Sequence, residues 1–195
     1  MLEVIGLACS RNDVVLFSNL SFQVAAGVAV QLRAANGSGK TTLLKTIAGL
    51  LPAAVGKIAV HGSLIFLGHN ANLHPTLSAR ENLAFLSTLT PSNSKITNQQ
   101  LDQALAFCNL TQQRNTPCAE LSAGQRQRVN LARLYLSAAK LWLLDEPFAN
   151  LDQTAQKLVL QLCAKHLSNT GALLVASHHE VIMPEAQLLD LEKYA

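Results

Sequence analysis

Residues 34–41 read Ala34-Ala35-Asn36-Gly37-Ser38-Gly39-Lys40-Thr41. Closely spaced glycines let backbone N–H groups converge on phosphate oxygens, and a helix that starts there turns its positive end toward them. Lys40 has the reach for β- and γ-phosphates, and the Thr41 hydroxyl is a hard ligand suited to Mg²⁺. Thr42 follows directly and is taken with the loop. The pattern is GxxxxGK[ST] with Ala34 in place of the first glycine, so the backbone at that position must suit an L-residue. The bland alternative is a glycine-rich turn that happens to precede a lysine.

A second segment is Leu141-Trp142-Leu143-Leu144-Asp145-Glu146-Pro147. A buried strand that ends in an acid delivers its carboxylate to the edge of a sheet, where it can orient Mg²⁺ directly or through water. Glu146 lies one residue further, so it points elsewhere and can face an attacking water. A third segment is Leu121-Ser122-Ala123-Gly124-Gln125. Ser122 and Gly124 at a helix start form another phosphate-facing site. Two such sites, far apart in one chain, make sense if each serves a different nucleotide.

These residues need particular elements to hold them. Residues 2–8 and 14–24 read as an antiparallel hairpin turning at Arg11-Asn12-Asp13. Residues 28–32 form a short apolar run, suited to a strand buried on both faces, and lead into the glycine loop and a helix from Lys40 to about Leu50. Strand, glycine turn and helix in that order are the context a phosphate loop requires. Residues 56–60 and 63–67 read as strands joined by almost nothing. Residues 78–86 and 99–108 read as helices, with a turn-rich break at 90–94, and Ser122 opens another helix to about Ser137. The run 141–144 is a strand, 152–167 a helix and 172–176 a strand, with a short helix and strand after them. Strands alternate with helices at both ends around a helical middle. This predicts an α/β fold with a helical insert from about 72 to 138.

Composition bounds the rest. At 195 residues the prior is a single domain, in which folding buries about 70% of the unfolded surface. The chain is 49% hydrophobic and 14% charged, the opposite of a disordered composition. A net charge of +3, with no basic run, gives no reason to expect a nucleic-acid partner. The 4 cysteines show no CxxC spacing, so buried thiols in a reduced compartment are expected. No apolar run reaches the roughly 18 residues of a membrane span.

With LSAGQ at 121–125 beside the phosphate loop, the sequence resembles the ATP-binding subunits of ABC transporters, whose signature is LSGGQ; Ala123 replaces the first glycine of that pair. The resemblance implies a P-loop NTPase (RecA-like) core over 1–71 and 139–195. An antiparallel β subdomain and the helical subdomain complete the implied fold. It implies ATP and Mg²⁺ as cofactors, with Asp145 and Thr41 toward the metal and Glu146 toward water. It also implies an ATP-dependent head-to-tail homodimer, in which Ser122, Gly124 and Gln125 of one copy cap ATP on the phosphate loop of the other.

Residues 148–152 look like the family's D-loop, and His178 matches its switch histidine, with His179 the competing choice. Asn70 stands where the family usually has a glutamine; its amide keeps the chemistry with one methylene less reach, so it senses Mg²⁺ through water or Asn72 shares the role. The aromatic that normally stacks on adenine is absent. Arg11 sits near that place, either stacking on the base or simply exposed in a turn.

Within the family, FLGHN at 66–70, LSARENLAFL at 77–86 and LSAGQRQRVNLARLYLSAAKLWLLDEPF at 121–148 resemble the ATP-binding subunits of cytochrome c maturation heme exporters. That implies integral membrane partners and a peripheral place on the cytoplasmic face of the inner membrane. No direct heme contact is expected, since the chain has no CxxCH site. The alternatives are another ABC exporter, of lipoprotein-releasing or multidrug type, and a soluble P-loop kinase.

Overall fold

The computed structural model describes residues 1–11, 14–92, 95–177, 183 and 185–195. In chain order the elements are β1 (Leu2–Arg11), β2 (Val14–Val24), β3 (Ala29–Arg33), α1 (Lys40–Ile47), β4 (Val55–Val60) and β5 (Leu64–Leu67). Then come α2 (Ala79–Thr88), α3 (Asn98–Phe107), α4 (Ala123–Leu136), β6 (Leu141–Asp145), α5 (Gln153–Ser168), β7 (Ala172–Ala176) and β8 (Gln187–Asp190). The chain divides into two compact units, one of Met1–Gly68, Lys140–Glu146 and His166–Ala195, the other of His69–Ala139 and Pro147–Lys165. The expected insert of about 72–138 lies inside the second unit, which also takes in residues 147–165.

The first unit holds two sheets. One is antiparallel, in the order β2-β1-β4; the other has the order β5-β6-β7-β3-β8, with every pairing parallel. Every residue of β6 and β7 is buried. That burial explains why these strands read as continuous apolar runs and not as alternating ones. The two short strands at 55–60 and 64–67 look alike in sequence but join different sheets: β4 pairs with β1, and β5 with β6. Along β1 the buried residues are Leu2 and Val4, then Leu7 and Cys9. The phase changes because the pairing with β2 shifts between Val4 and Leu7, and one extra residue moves the inward set to the other parity.

The second unit packs α2, α3 and α4 around Leu83, Leu101, Leu105 and Val129. Each of the three helices begins with a capping box: Ser78 with Glu81, Thr97 with Gln100, and Ser122 with Gln125. These pairs satisfy backbone donors that a helix start otherwise leaves open.

All four cysteines are buried thiols. Burial raises the pKa of the Cys9 and Cys118 thiols, and pushes those of Cys108 and Cys163 up to about 12. The thiolate is the reactive form, so native thiols should be inert. At about pH 8, a chromogenic disulfide reagent should leave native protein unmodified over minutes and titrate every cysteine after denaturation. A rapidly reacting thiol in native protein would contradict this packing.

Candidate functional site

The phosphate loop follows β3, at the edge of the sheet where all five strands end. Gly37 and Gly39 take φ of +83° and +100°, in the left-handed region that favours glycine. A Cβ at Gly39 would also lie 3.1 Å from side-chain atoms of Leu16 and Phe17. Ala34 is not among the positive-φ residues, so an alanine there costs the backbone nothing. Unlike α2, α3 and α4, α1 has no side-chain cap at its start, and the N-cap position is Gly39. Its first-turn N–H groups, with Thr41 and Thr42 in that turn, therefore face the loop without a side-chain acceptor.

Lys40 is 7% exposed. Its ammonium donates to the carbonyl of Ala34 at 2.7 Å and to that of Ala35 at 2.9 Å. Such charge-assisted bonds compensate a buried cation and hold it over the loop. The Thr41 hydroxyl donates to Asp145 Oδ2 at 2.8 Å. Asp145 is the last residue of β6 and is 3% exposed. Glu146, 7% exposed, takes φ of +51°, and its N–H donates to the Ala176 carbonyl at 2.8 Å. A left-handed, non-glycine residue beside a buried carboxylate is strain of the kind that collects at working sites.

The residues fit a nucleotide with its metal. Thr41 and Asp145 supply a hydroxyl and a carboxylate side by side, the hard oxygen pair that Mg²⁺ takes together with phosphate oxygens. The Ser38 hydroxyl in the loop is buried without a hydrogen-bond partner among the described residues. Asn36 and Ala35 are exposed.

The LSAGQ segment lies in the second unit. Ser122 is the N-cap of α4, accepting from the Gln125 N–H at 3.1 Å, while Gln125 Oε1 accepts from the Ser122 N–H at 2.8 Å. Ala123 is the first helical residue, a place where alanine is as good as glycine or better. Gly124 is different: a Cβ there would come within 2.6 Å of the Asn150 carbonyl oxygen. Asn150, at φ +61°, lies in the 148–152 segment, whose Asp152 carboxylate accepts from the Ala155 N–H at the start of α5. The start of α4 and the 148–152 segment are thus in backbone contact, and sequence reasoning did not foresee that closeness.

The remaining expected residues are placed as follows. Asn70 is exposed, three residues beyond β5, and belongs to the second unit; Asn72 has φ of +47°. Arg11 ends β1, exposed and opposite Val14. His178 and His179 lie outside the described residues.

Two further residues were missed. Asn82, 2% exposed on α2, accepts from the His74 N–H at 2.7 Å and donates to the carbonyls of His74 and Leu77, both at 3.0 Å. It thereby ties down the chain that follows Asn70. An amide in the apolar face of LSARENLAFL was the available signal. Glu192 accepts from the Ala35 N–H at 2.9 Å, and no motif pointed to it.

A glycine loop between β3 and α1, an acid at the end of β6 and a helical insert define a P-loop nucleotide-binding domain. Residues 17–149 match the family model described as ABC transporter, and the chain belongs to that family. It is 41% identical to the cytochrome c biogenesis ATP-binding export protein CcmA of Xanthomonas oryzae, over 100% of this chain and 95% of that protein. The CcmA of Histophilus somni is 37% identical, over 99% and 94%. A solved dimeric ATP-binding cassette, in a post-hydrolysis state with ADP and phosphate, has the same fold. Its TM-score is 0.86 at 20% identity, covering 98% of this chain and 94% of that one. No helix among the described residues is long and apolar enough to cross a membrane.

The close approach at Gly124 yields a test. Gly124→Ala should destabilise the protein by about 1–3 kcal/mol, the usual cost of overpacking, whereas Ala123→Gly should cost no more than about 1 kcal/mol. Thermal or urea unfolding of the two variants decides it, and equal stability would mean that Asn150 yields freely.

Proposed function

We propose that this chain is the ATP-hydrolysing subunit of an ABC exporter of the cytochrome c maturation type, driving integral membrane partners. The observation that carries the reading is the Lys40–Thr41–Asp145 constellation at one sheet edge, in a chain that matches CcmA proteins over nearly its whole length. Gly37, Ser38, Gly39 and the first turn of α1 offer backbone donors to the phosphates. Lys40 adds the positive charge for the β- and γ-phosphates, held in place by the Ala34 and Ala35 carbonyls. Thr41 and Asp145 would hold Mg²⁺, which supplies charge neutralisation on the phosphates when bound.

Glu146 orients the attacking water and takes its proton. Burial beside a strained turn keeps its carboxylate from wandering. His178 completes the site toward the γ-phosphate, Asn70 senses metal and water, and Arg11 packs on the base. Ser122, Gly124 and Gln125 cap ATP held by a second copy in a head-to-tail dimer. The fully formed capping box keeps the α4 start rigid for that role.

Closure of the dimer passes to membrane partners through the second unit, where Phe85 and Leu89 are 60% and 65% exposed. The subunit works on the cytoplasmic face of the inner membrane and exports heme or another component of cytochrome c assembly.

Lys40→Ala should abolish ATP binding, because it deletes the side-chain charge placed for the phosphates. Equilibrium binding of a fluorescent ATP analogue checks this, and near-normal affinity would remove the assignment.

Glu146→Gln keeps size and hydrogen bonding but removes the base. Turnover should fall about 10²–10⁴-fold, while Mg·ATP still binds and traps the dimer. Ser122→Arg should block that dimer and leave monomer binding largely intact. Light scattering with and without Mg·ATP, in the presence of the co-purified membrane partners, is the measurement. A Glu146→Gln protein that stays monomeric there would sink the shared-site mechanism.

A further inference from the structure

We propose that Glu192 is a positioning residue of the phosphate loop, orienting the Ala34–Ala35 peptide so that its carbonyl is presented to Lys40. This inference rests on the reading of residues 34–42 as an ATP phosphate loop. The Ala35 N–H that donates to Glu192 Oε1 at 2.9 Å belongs to the same peptide group as the Ala34 carbonyl. That carbonyl accepts from the Lys40 ammonium at 2.7 Å. One planar peptide therefore has a carboxylate at its N–H end and an ammonium at its C=O end. Both charges align with the peptide dipole, and hydrogen bonds in such a chain polarise and strengthen one another. The peptide cannot rotate to turn its carbonyl away from Lys40 without breaking both.

The fold delivers Glu192 by register. β8 runs parallel to β3 with Arg33 opposite Asp190, so Ala35 and Glu192 each lie two residues beyond a paired couple at the same sheet edge. Asp190 Oδ1 accepts from the Glu192 N–H at 3.1 Å and starts the 3-10 turn Leu191–Tyr194. Leu191, 1% exposed, anchors that turn in the core of the first unit, and Tyr194 packs against the same core. The carboxylate is exposed, yet its backbone is fixed on both sides.

A through-space role and a positioning role predict opposite signs. As a bare negative charge near a polyanion site, Glu192 would weaken ATP binding, and removing it would tighten binding. As a positioning residue, it supports the loop, and its loss loosens the acceptor that holds Lys40. The test measures Mg·ATP affinity and steady-state turnover on the full chain for Glu192→Ala, Glu192→Gln and Lys40→Ala, with melting temperatures taken without nucleotide.

Glu192→Ala should raise Kd and KM for ATP about 3- to 10-fold, the weight of one charge-assisted bond partly replaced by water. The loss should fall on KM and not on kcat, because the loop binds ground and transition states alike. Glu192→Gln retains an oxygen acceptor and should restore most of the affinity. Unchanged or tighter binding in Glu192→Ala overturns the proposal, as does an equal loss in Glu192→Ala and Glu192→Gln. A fall in melting temperature with Kd unaltered also overturns it, leaving only a structural role. If Lys40→Ala itself binds ATP normally, the phosphate-loop reading has failed instead.

Discussion

The structure turns on the 2.8 Å bond between Thr41 and Asp145, two residues 104 positions apart. It exists because β3, β7 and β6 lie side by side and parallel, so their carboxyl ends share one edge. β3 releases the chain into the glycine loop and α1 there, and β6 stops there with its acid. An antiparallel neighbour would have put Asp145 at the far side of the sheet. The apolar burial of β6 and β7 fixes that arrangement, and the polar constellation is carried on it.

That edge concentrates charge that burial alone would reject. Lys40, Asp145 and Glu146 are each buried. The first two are compensated locally, by loop carbonyls and by the Thr41 hydroxyl. Glu146 adds a left-handed backbone, whose cost is offset by the ladder bond from its N–H to Ala176. The loop is held from three directions: Phe17 and Leu16 under Gly39, Lys40 across the carbonyls, and Glu192 at the Ala35 N–H.

The second unit obeys a different constraint, the satisfaction of helix starts. Within it α2, α3 and α4 each close their first turn with a capping box, while the start of α1 in the first unit relies on glycine. The contrast separates helix ends built to be rigid from one whose donors serve the loop. Gly124 belongs to the rigid kind, and its missing Cβ admits the Asn150 carbonyl.

The sequence by itself determined the chemistry that depends on local order. Gly37-Ser38-Gly39-Lys40-Thr41 is one turn and one helix start, and its meaning lies within a few residues. The same holds for the apolar run that ends at Asp145, and for Ser122 as a helix cap. The alternation of strands and helices around a helical middle was legible for the same reason, since hydrophobic period and breakers act locally.

Tertiary structure alone decided which sheet each strand joins. β4 and β5 are short apolar neighbours whose partners, β1 and β6, are set by long-range pairing. The parity change along β1 arises from a register shift against β2 that no local pattern announces. The close approach of Gly124 to Asn150 and the reach of Glu192 to Ala35 are likewise contacts between distant segments. Such contacts depend on the register and packing of whole elements, which a single residue's neighbours in the chain do not encode.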